Sequence, residues 1–353
     1  MRKKSRNQRS VFLTLAICIL LLLLTGCGNR NVKSYPDVLD DIDRYFKAEG
    51  DLSRNEDITL ASWYRPGDSL TDWIIISEIR QGKRLDNEKY ISDITAYISE
   101  SYKDPDKLDR IKATEWHRIT MAVLLADGDP RKMVSQNGDS IDLFADGVYN
   151  WDQTDRLDTQ GANALIYALN VIRAGDYAIP ADGRYQEKDI IGSLLEYQGE
   201  NGAFGLTGEG ADVDITAMAV QALAPYASKY EEANEAVESA VGFLSEAQRA
   251  GGFYVFGNRY SSETCSQVIM ALAAAGIDPG KDERFIKSGV SVADALMSFR
   301  NSDGGFASQL GKNGKPEESD MLATRQAACA ITSMLLLDKG NGDYFDFSNT
   351  LQE

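Results

Sequence analysis

Apolar residues recur at three- and four-residue spacing along most of the chain, with few prolines and little strand-like alternation, so the pattern predicts helices almost throughout. Three stretches, 191–204, 241–253 and 293–306, align with one another. Each reads as an amphipathic helix running into a glycine-rich turn that presents an aromatic: Gly202-Ala203-Phe204, Gly251-Gly252-Phe253 and Gly304-Gly305-Phe306. Matching the three phenylalanines gives intervals of 49 and 53 residues. A second, more apolar helix follows each turn, at 212–226, 261–275 and 319–337. Reading backwards, 159–174 is the apolar helix of a degenerate unit with Gly147-Val148-Tyr149 as its turn, and 115–126 and 69–81 fit two more. Amphipathic partners fall at 37–47, 87–102, 139–146, 186–198, 237–248 and 288–299. Six helical hairpins result.

One amphipathic and one apolar helix cannot bury the apolar member alone; neighbours must surround it. Six such units are expected to close into an all-α (α/α)6 toroid, apolar helices inside and amphipathic ones outside. The expected organisation is a signal peptide at 1–26, a lipidated tether at 27–36, the toroid at 37–340 and a tail at 341–353.

The first nine residues carry five basic side chains and no acid, and an apolar run at 11–24 follows, broken only by Thr14. As a helix those residues span about 21 Å, short of the ~30 Å hydrocarbon core. A basic stretch before a short apolar one is the pattern of a secretory signal. It ends in Leu24-Thr25-Gly26-Cys27, which resembles a bacterial lipobox; the resemblance implies a diacylglycerol on the Cys27 sulfur and attachment to the lipid bilayer at the extracytoplasmic face of a bacterial cell membrane.

Charge narrows the partners. The chain carries −17, and loss of the five basic residues of the signal takes it to −22. So acidic a body repels phosphate backbones, which argues against nucleic acid as a partner. Of the four cysteines, Cys18 leaves with the signal and Cys27 is acylated; Cys265 and Cys329 sit in apolar helical stretches and read as buried small residues rather than a disulfide framework.

The Gln-x-x-x-Gly-x-Phe turns resemble the repeats of the squalene cyclase, protein prenyltransferase and cobalamin-carrier superfamily of α/α toroids, most strongly over 185–337, and among them the secreted bacterial members. The zinc of the prenyltransferases needs Asp, Cys and His ligands, but the chain has a single His, His117, and Asp214 stands where a Cys would be needed; no metal site is expected. His117 reads as a partly buried polar residue at a helix start. The class II cyclases protonate an alkene with the middle Asp of Asp-x-Asp-Asp-Thr-Ala; here Asp212-Val213-Asp214-Ile215-Thr216-Ala217 keeps that acid at Asp214 and loses its last carboxylate. The plainer role of Asp212, Asp214 and Glu263 is to cap inner helices, each contributing ~0.5–2 kcal/mol.

Carriers of the superfamily hold their ligand where inner helices begin. On this chain that face would display Asp212, Asp214, Glu263, Thr264, Thr324 and Arg325, with Tyr149, Trp151, Tyr254 and Tyr260 as aromatic ligand contacts, while Phe204, Phe253 and Phe306 pack between repeats. The expectation is a lipid-anchored protein binding a small molecule, a glycan or a protein partner, with no resident cofactor; the resemblance admits cobalamin as a ligand. The alternatives are a proton-initiated cyclase-like enzyme using Asp214 and a cell-surface docking scaffold.

Overall fold

The computed structural model describes residues 33–135 and 137–351. The expected signal peptide, Cys27 and most of the expected tether lie outside the described residues. The chain divides into two units, residues 1–38 and 39–353. In the first, Ser34 Oγ donates to Asp37 Oδ2 (2.6 Å) and helix α1 (Tyr35–Glu49) begins. Everything below concerns residues 39–351.

Eleven α-helices are present among the described residues. Six are inner: α2 (Ser69–Arg80), α4 (Ala113–Leu125), α5 (Ala162–Gly175), α7 (Val213–Leu223), α9 (Ser262–Ala274) and α11 (Met321–Asp338). The others are outer: α1, α3 (Asn87–Ser101), α6 (Glu187–Leu195), α8 (Glu231–Ala247) and α10 (Val292–Met297). Each inner helix packs on the next, and α11 packs against α2, so the six inner helices close on themselves. Their small and apolar side chains, such as Ala219, Val220, Ala271, Ala327 and Ala330, are fully buried between neighbours. Closure removes the exposed apolar ends that an open solenoid must cap.

The third outer partner departs from expectation. Residues 139–146 form no regular helix; instead a short strand pair (Met133–Val134 with Ser140–Ile141) leads into a single wide helical turn at Ala145–Tyr149. Gly147 lies so close to Trp116 that a Cβ would sit 2.5 Å from that side chain, so this turn packs tightly on α4. The fifth expected outer partner, α8, starts at Glu231, six residues before its expected position.

The glycine turns work differently from simple spacers. Gln198 Nε2 donates to Gly202 O (3.0 Å) and to Ala236 O (2.9 Å) of the next outer helix. Gln248 Nε2 does the same with Gly252 O and Phe285 O, both at 3.0 Å. The sixth unit has Arg300 in that place, and it pairs with Asp41 of α1, so the last turn bolts onto the first outer helix. Gly202, Gly252 and Gly304 all have positive φ, and a Cβ on each would come within 2.4–2.5 Å of a carbonyl oxygen of the following unit, at Ser239, Ser291 and Asp41. Glycine is required here by both backbone conformation and close approach.

This register corrects the repeat alignment. Tyr254, not Phe253, is the equivalent of Phe204 and Phe306, with intervals of 50 and 52 residues. The amides of Phe204 and Phe306 each donate at 2.8 Å to a threonine hydroxyl one turn into the inner helix, Thr216 and Thr324. Cys265 occupies the same slot in α9 and its sulfur takes the Tyr254 amide, which explains a free, fully buried cysteine there.

Residues 341–351 fold back under the ring. Tyr344 and Phe345 are buried. Cys329 Sγ–H donates to Tyr344 Oη (3.2 Å), Phe345 meets Tyr167 edge-on (6.5 Å), and the Arg80 guanidinium lies over Tyr344 and Phe347. Arg173 Nε donates to Asp343 Oδ2 (3.0 Å) and also pairs with Asp346. The tail is a plug at the carboxyl ends of the inner helices.

Candidate functional site

With the tail filling one end, the ring opens where the inner helices begin. Four of them carry side-chain caps: Asp68, Asp212, Ser261 and Asp320 accept from the amides of Leu70, Ile215, Thr264 and Ala323. Asp212 therefore does the capping its sequence position suggested. The second residue past the cap on each inner helix is Leu70, Thr114, Asn163, Asp214, Glu263 or Leu322, and every one is left partly or fully open. These six form the lip of a mouth, polar along Asn163–Asp214–Glu263 and apolar at Leu322 and Leu70.

One turn deeper stand Trp73, Tyr167, Met218, Gln267, Arg325 and Gln326, all half-buried. Trp73 and Tyr167 touch at 5.7 Å although their helices are not neighbours, so side chains meet across the lumen at this depth. The Arg325 guanidinium lies over Trp73 (5.4 Å). Gln221 Nε2 donates to Gln267 Oε1 and Gln267 Nε2 to Gln326 Oε1, both at 3.0 Å, which holds three adjacent helices in one amide chain.

Three polar atoms in this mouth are shielded from solvent and lack a hydrogen-bond partner: Asn163 Oδ1, Asp214 Oδ1 and Arg325 Nε. Leaving such groups unsatisfied costs about 1–3 kcal/mol each, and more for charged ones. The Asp214 carboxyl is pushed up to about 6, chiefly by burial. A hydrogen bond from Thr264 works against the rise, and the negative charges of Asp212 and Glu263 add to it. Glu263 is itself held by the hydroxyls of Ser261 (3.1 Å) and Ser262 (3.2 Å).

Of the expected ligand contacts, Asp214 and Glu263 lie near one another at the lip, Arg325 stands a turn deeper against Trp73, and Asp212 is the cap behind Asp214. The others go elsewhere. Thr264 and Thr324 are buried and stitch helix starts and turns. Trp151 is fully buried against Trp116 (5.2 Å, edge-on), its Nε1–H donating to Thr154. Tyr254 is fully buried with its hydroxyl on Leu244 O (2.8 Å), as befits the true repeat aromatic. Tyr149 packs on Phe144 in the outer wall. Tyr260 is exposed on a hairpin outside the mouth, stacked on Phe253 (4.4 Å), which also meets Phe299 of the next unit at a steep angle (5.8 Å) and so packs between repeats as expected. His117 is fully buried inside α4, Nε2 against Gly147 O (2.7 Å), and burial lowers it to about 4. Sequence reasoning missed Asn163, Gln267, Gln326, Trp73 and Tyr167. The signal that finds them is a place two, five or six residues past an inner-helix cap.

Among the described residues no group of three His, Cys, Asp or Glu side chains is placed to hold a metal ion, and no helix is long and apolar enough to cross a membrane.

No protein-family profile matches the sequence, and no curated protein matches it. Solved structures do. A protein geranylgeranyltransferase-I from Candida albicans superposes with a TM-score of 0.54 at 13% identity, over 85% of this chain and 92% of that one. Unsaturated glucuronyl hydrolase from Bacillus sp. GL1, described as responsible for the degradation of glycosaminoglycan, gives 0.53 at 14% identity, over 88% and 97%. A family 88 glycosyl hydrolase from Bacteroides vulgatus gives 0.50 at 11%, over 86% and 100%. By fold, this chain is an α/α toroid of the architecture that protein prenyltransferases and these glycosyl hydrolases share.

Proposed function

We propose that the chain is a lipid-anchored extracytoplasmic binding protein, held to the membrane through Cys27, whose ring mouth takes a small polyhydroxylated ligand such as a sugar residue of a glycan. The observation that carries this reading is the set of orphaned atoms near the starts of the inner helices. Two acceptors (Asn163 Oδ1, Asp214 Oδ1) and, a turn deeper, one donor (Arg325 Nε) are shielded and unpaired on three of the six inner helices. A ligand bearing both hydroxyl donors and acceptors satisfies all three, and the apolar side of the lip at Leu322 and Leu70 receives its C–H face. A prenyl chain is the poorer fit, since the depth it would need is occupied by Trp73, Tyr167 and Tyr344. That two fold neighbours are named as glycosyl hydrolases is in keeping with a sugar.

The test is calorimetric titration of the full chain in detergent with a panel of monosaccharides and short cell-wall glycans. Arg325→Gln and Asn163→Ala each weaken a bound sugar by about tenfold or more, the cost of one buried polar contact, without lowering the melting temperature. A panel in which nothing binds, or variants that bind as the parent does, ends this reading. Anchoring is read separately: Cys27→Ser releases the chain from membranes and blocks incorporation of a fatty-acid label.

One observation favours a second reading. A carboxyl that titrates near 6 beside Glu263 is a serviceable proton donor at neutral pH. A cyclase-like or lyase-like enzyme on this site would turn over an unsaturated substrate and lose that turnover in Asp214→Asn while its ligand affinity remains.

A further inference from the structure

Outside the mouth, two hairpins rise from the starts of α9 and α11 and enclose a groove of about 1040 Å3. One wall is the strand pair Val255–Phe256 with Arg259–Tyr260. The other is the loop after Phe306–Ala307, closed by the Leu310–Pro316 bridge. The base of the first wall carries Phe253 and Tyr260 stacked nearly parallel, 17° apart with centroids at 4.4 Å. Arg249 and Lys312 are exposed on the lining, and Arg259 is tied to Glu317 and to Leu310 O (3.0 Å). Three cations against one acid line this groove on a chain whose net charge is −17. That local excess runs against the rest of the molecule and marks the groove for an anion.

We propose that this groove binds a segment of a carboxylate-bearing, acidic oligosaccharide, at a site separate from the mouth. A stacked aromatic pair offers a flat face to the C–H face of a pyranose ring. Arg249 supplies a planar fork suited to a carboxylate, and Lys312 a second positive charge across the gap. The aromatic face is specific to the hairpin: the repeat places Tyr254 inward as packing, and Phe253, half-buried against Phe299, supports Tyr260 from below. A sugar is favoured over an acidic peptide because backbone groups along both walls are already paired within their own hairpins. Arg249 N donates to Phe253 O (2.8 Å), Gly311 N to Lys315 O (2.8 Å) and Glu317 N to Gln309 O (3.1 Å).

The experiment is titration of the full chain in detergent with tetragalacturonate, cellotetraose and tetraglutamate. Tetragalacturonate is expected to bind, with cellotetraose about tenfold weaker or worse. Raising salt from roughly 50 to 300 mM weakens the acidic ligand, because the cations are exposed. Arg249→Ala and Tyr260→Ala each reduce affinity by about fivefold or more with an unchanged melting temperature, since both side chains are exposed. Arg325→Gln leaves this binding intact, which separates it from the ligand of the mouth. The proposal falls if tetragalacturonate does not bind, if the neutral tetramer binds equally, or if Arg249→Ala is silent. It also falls if Arg325→Gln abolishes binding, which places the sugar in the mouth, or if tetraglutamate binds as tightly, which makes the groove a peptide site.

Discussion

At the scale of single residues, Asp214 exposes a conflict between stability and recognition. Its carboxyl titrates near 6 in the folded chain and near 3.8 when unconstrained. The folded state thus holds the proton more tightly than the unfolded one. Its relative advantage is complete below about pH 3.8 and is lost as pH climbs to about 6, at a cost on the order of 2–3 kcal/mol. Asp214→Asn, which never ionises, is expected to melt a few degrees higher than the parent at pH 8 and at nearly the same temperature at pH 4, while binding its sugar less well. Thermal melts across that range check the sign. A mutant that melts lower at pH 8 makes Asp214 a stabilising charge at the helix start. Asp214, Glu263 and Arg325 were legible in the sequence as polar residues at the start of apolar helices. Asn163, Gln267 and Gln326 were not, because an amide inside an apolar helix looks like an ordinary core interruption until the cap fixes which way it faces.

At the scale of the element, the turn between outer and inner helix is where the repeat is enforced. Gly251 and Gly252 both have positive φ, yet their surroundings differ. A Cβ at Gly251 meets only the Phe253 ring, at 3.2 Å, while one at Gly252 meets Ser291 O at 2.4 Å. Gly251→Ala is expected to cost about 1 kcal/mol, the backbone term alone. Gly252→Ala costs about 2–4 kcal/mol, because a neighbouring unit's backbone must also move. Denaturant titration separates the two, and equal losses would mean that the close approach to Ser291 is not rigid. The six-hairpin architecture could be read from helical periodicity, since each long apolar stretch admits one arrangement. The register could not: two adjacent aromatics, Phe253 and Tyr254, follow the same glycines, and only the Cys265 slot decides which one turns inward. The degenerate third outer partner was misread because 139–146 reads as a helix, whereas Ser140–Ile141 pairs as a strand with Met133–Val134.

For the molecule as a whole, ring closure depends on contacts between distant parts of the sequence. Arg300 reaches Asp41 across the outer seam, α11 meets α2 across the inner one, and the tail spans the base through Arg173, Asp343 and Asp346. Asp343 is buried, so removing its partner leaves a poorly solvated carboxylate. Arg173→Ala is expected to cost about 2–3 kcal/mol, somewhat below a fully buried pair because the arginine is part-exposed, lowering the melting temperature by roughly 5 °C in a single transition. Two resolved transitions in calorimetry would show that the base and the ring melt independently. A seam of this kind also fixes copy number. An open solenoid can gain or lose a repeat by gene duplication and merely grow longer or shorter. Here an extra hairpin would pull Arg300 away from Asp41 and widen the lumen beyond what Trp73, Tyr167 and the plug can fill, so the fold tolerates drift within each unit but not a seventh.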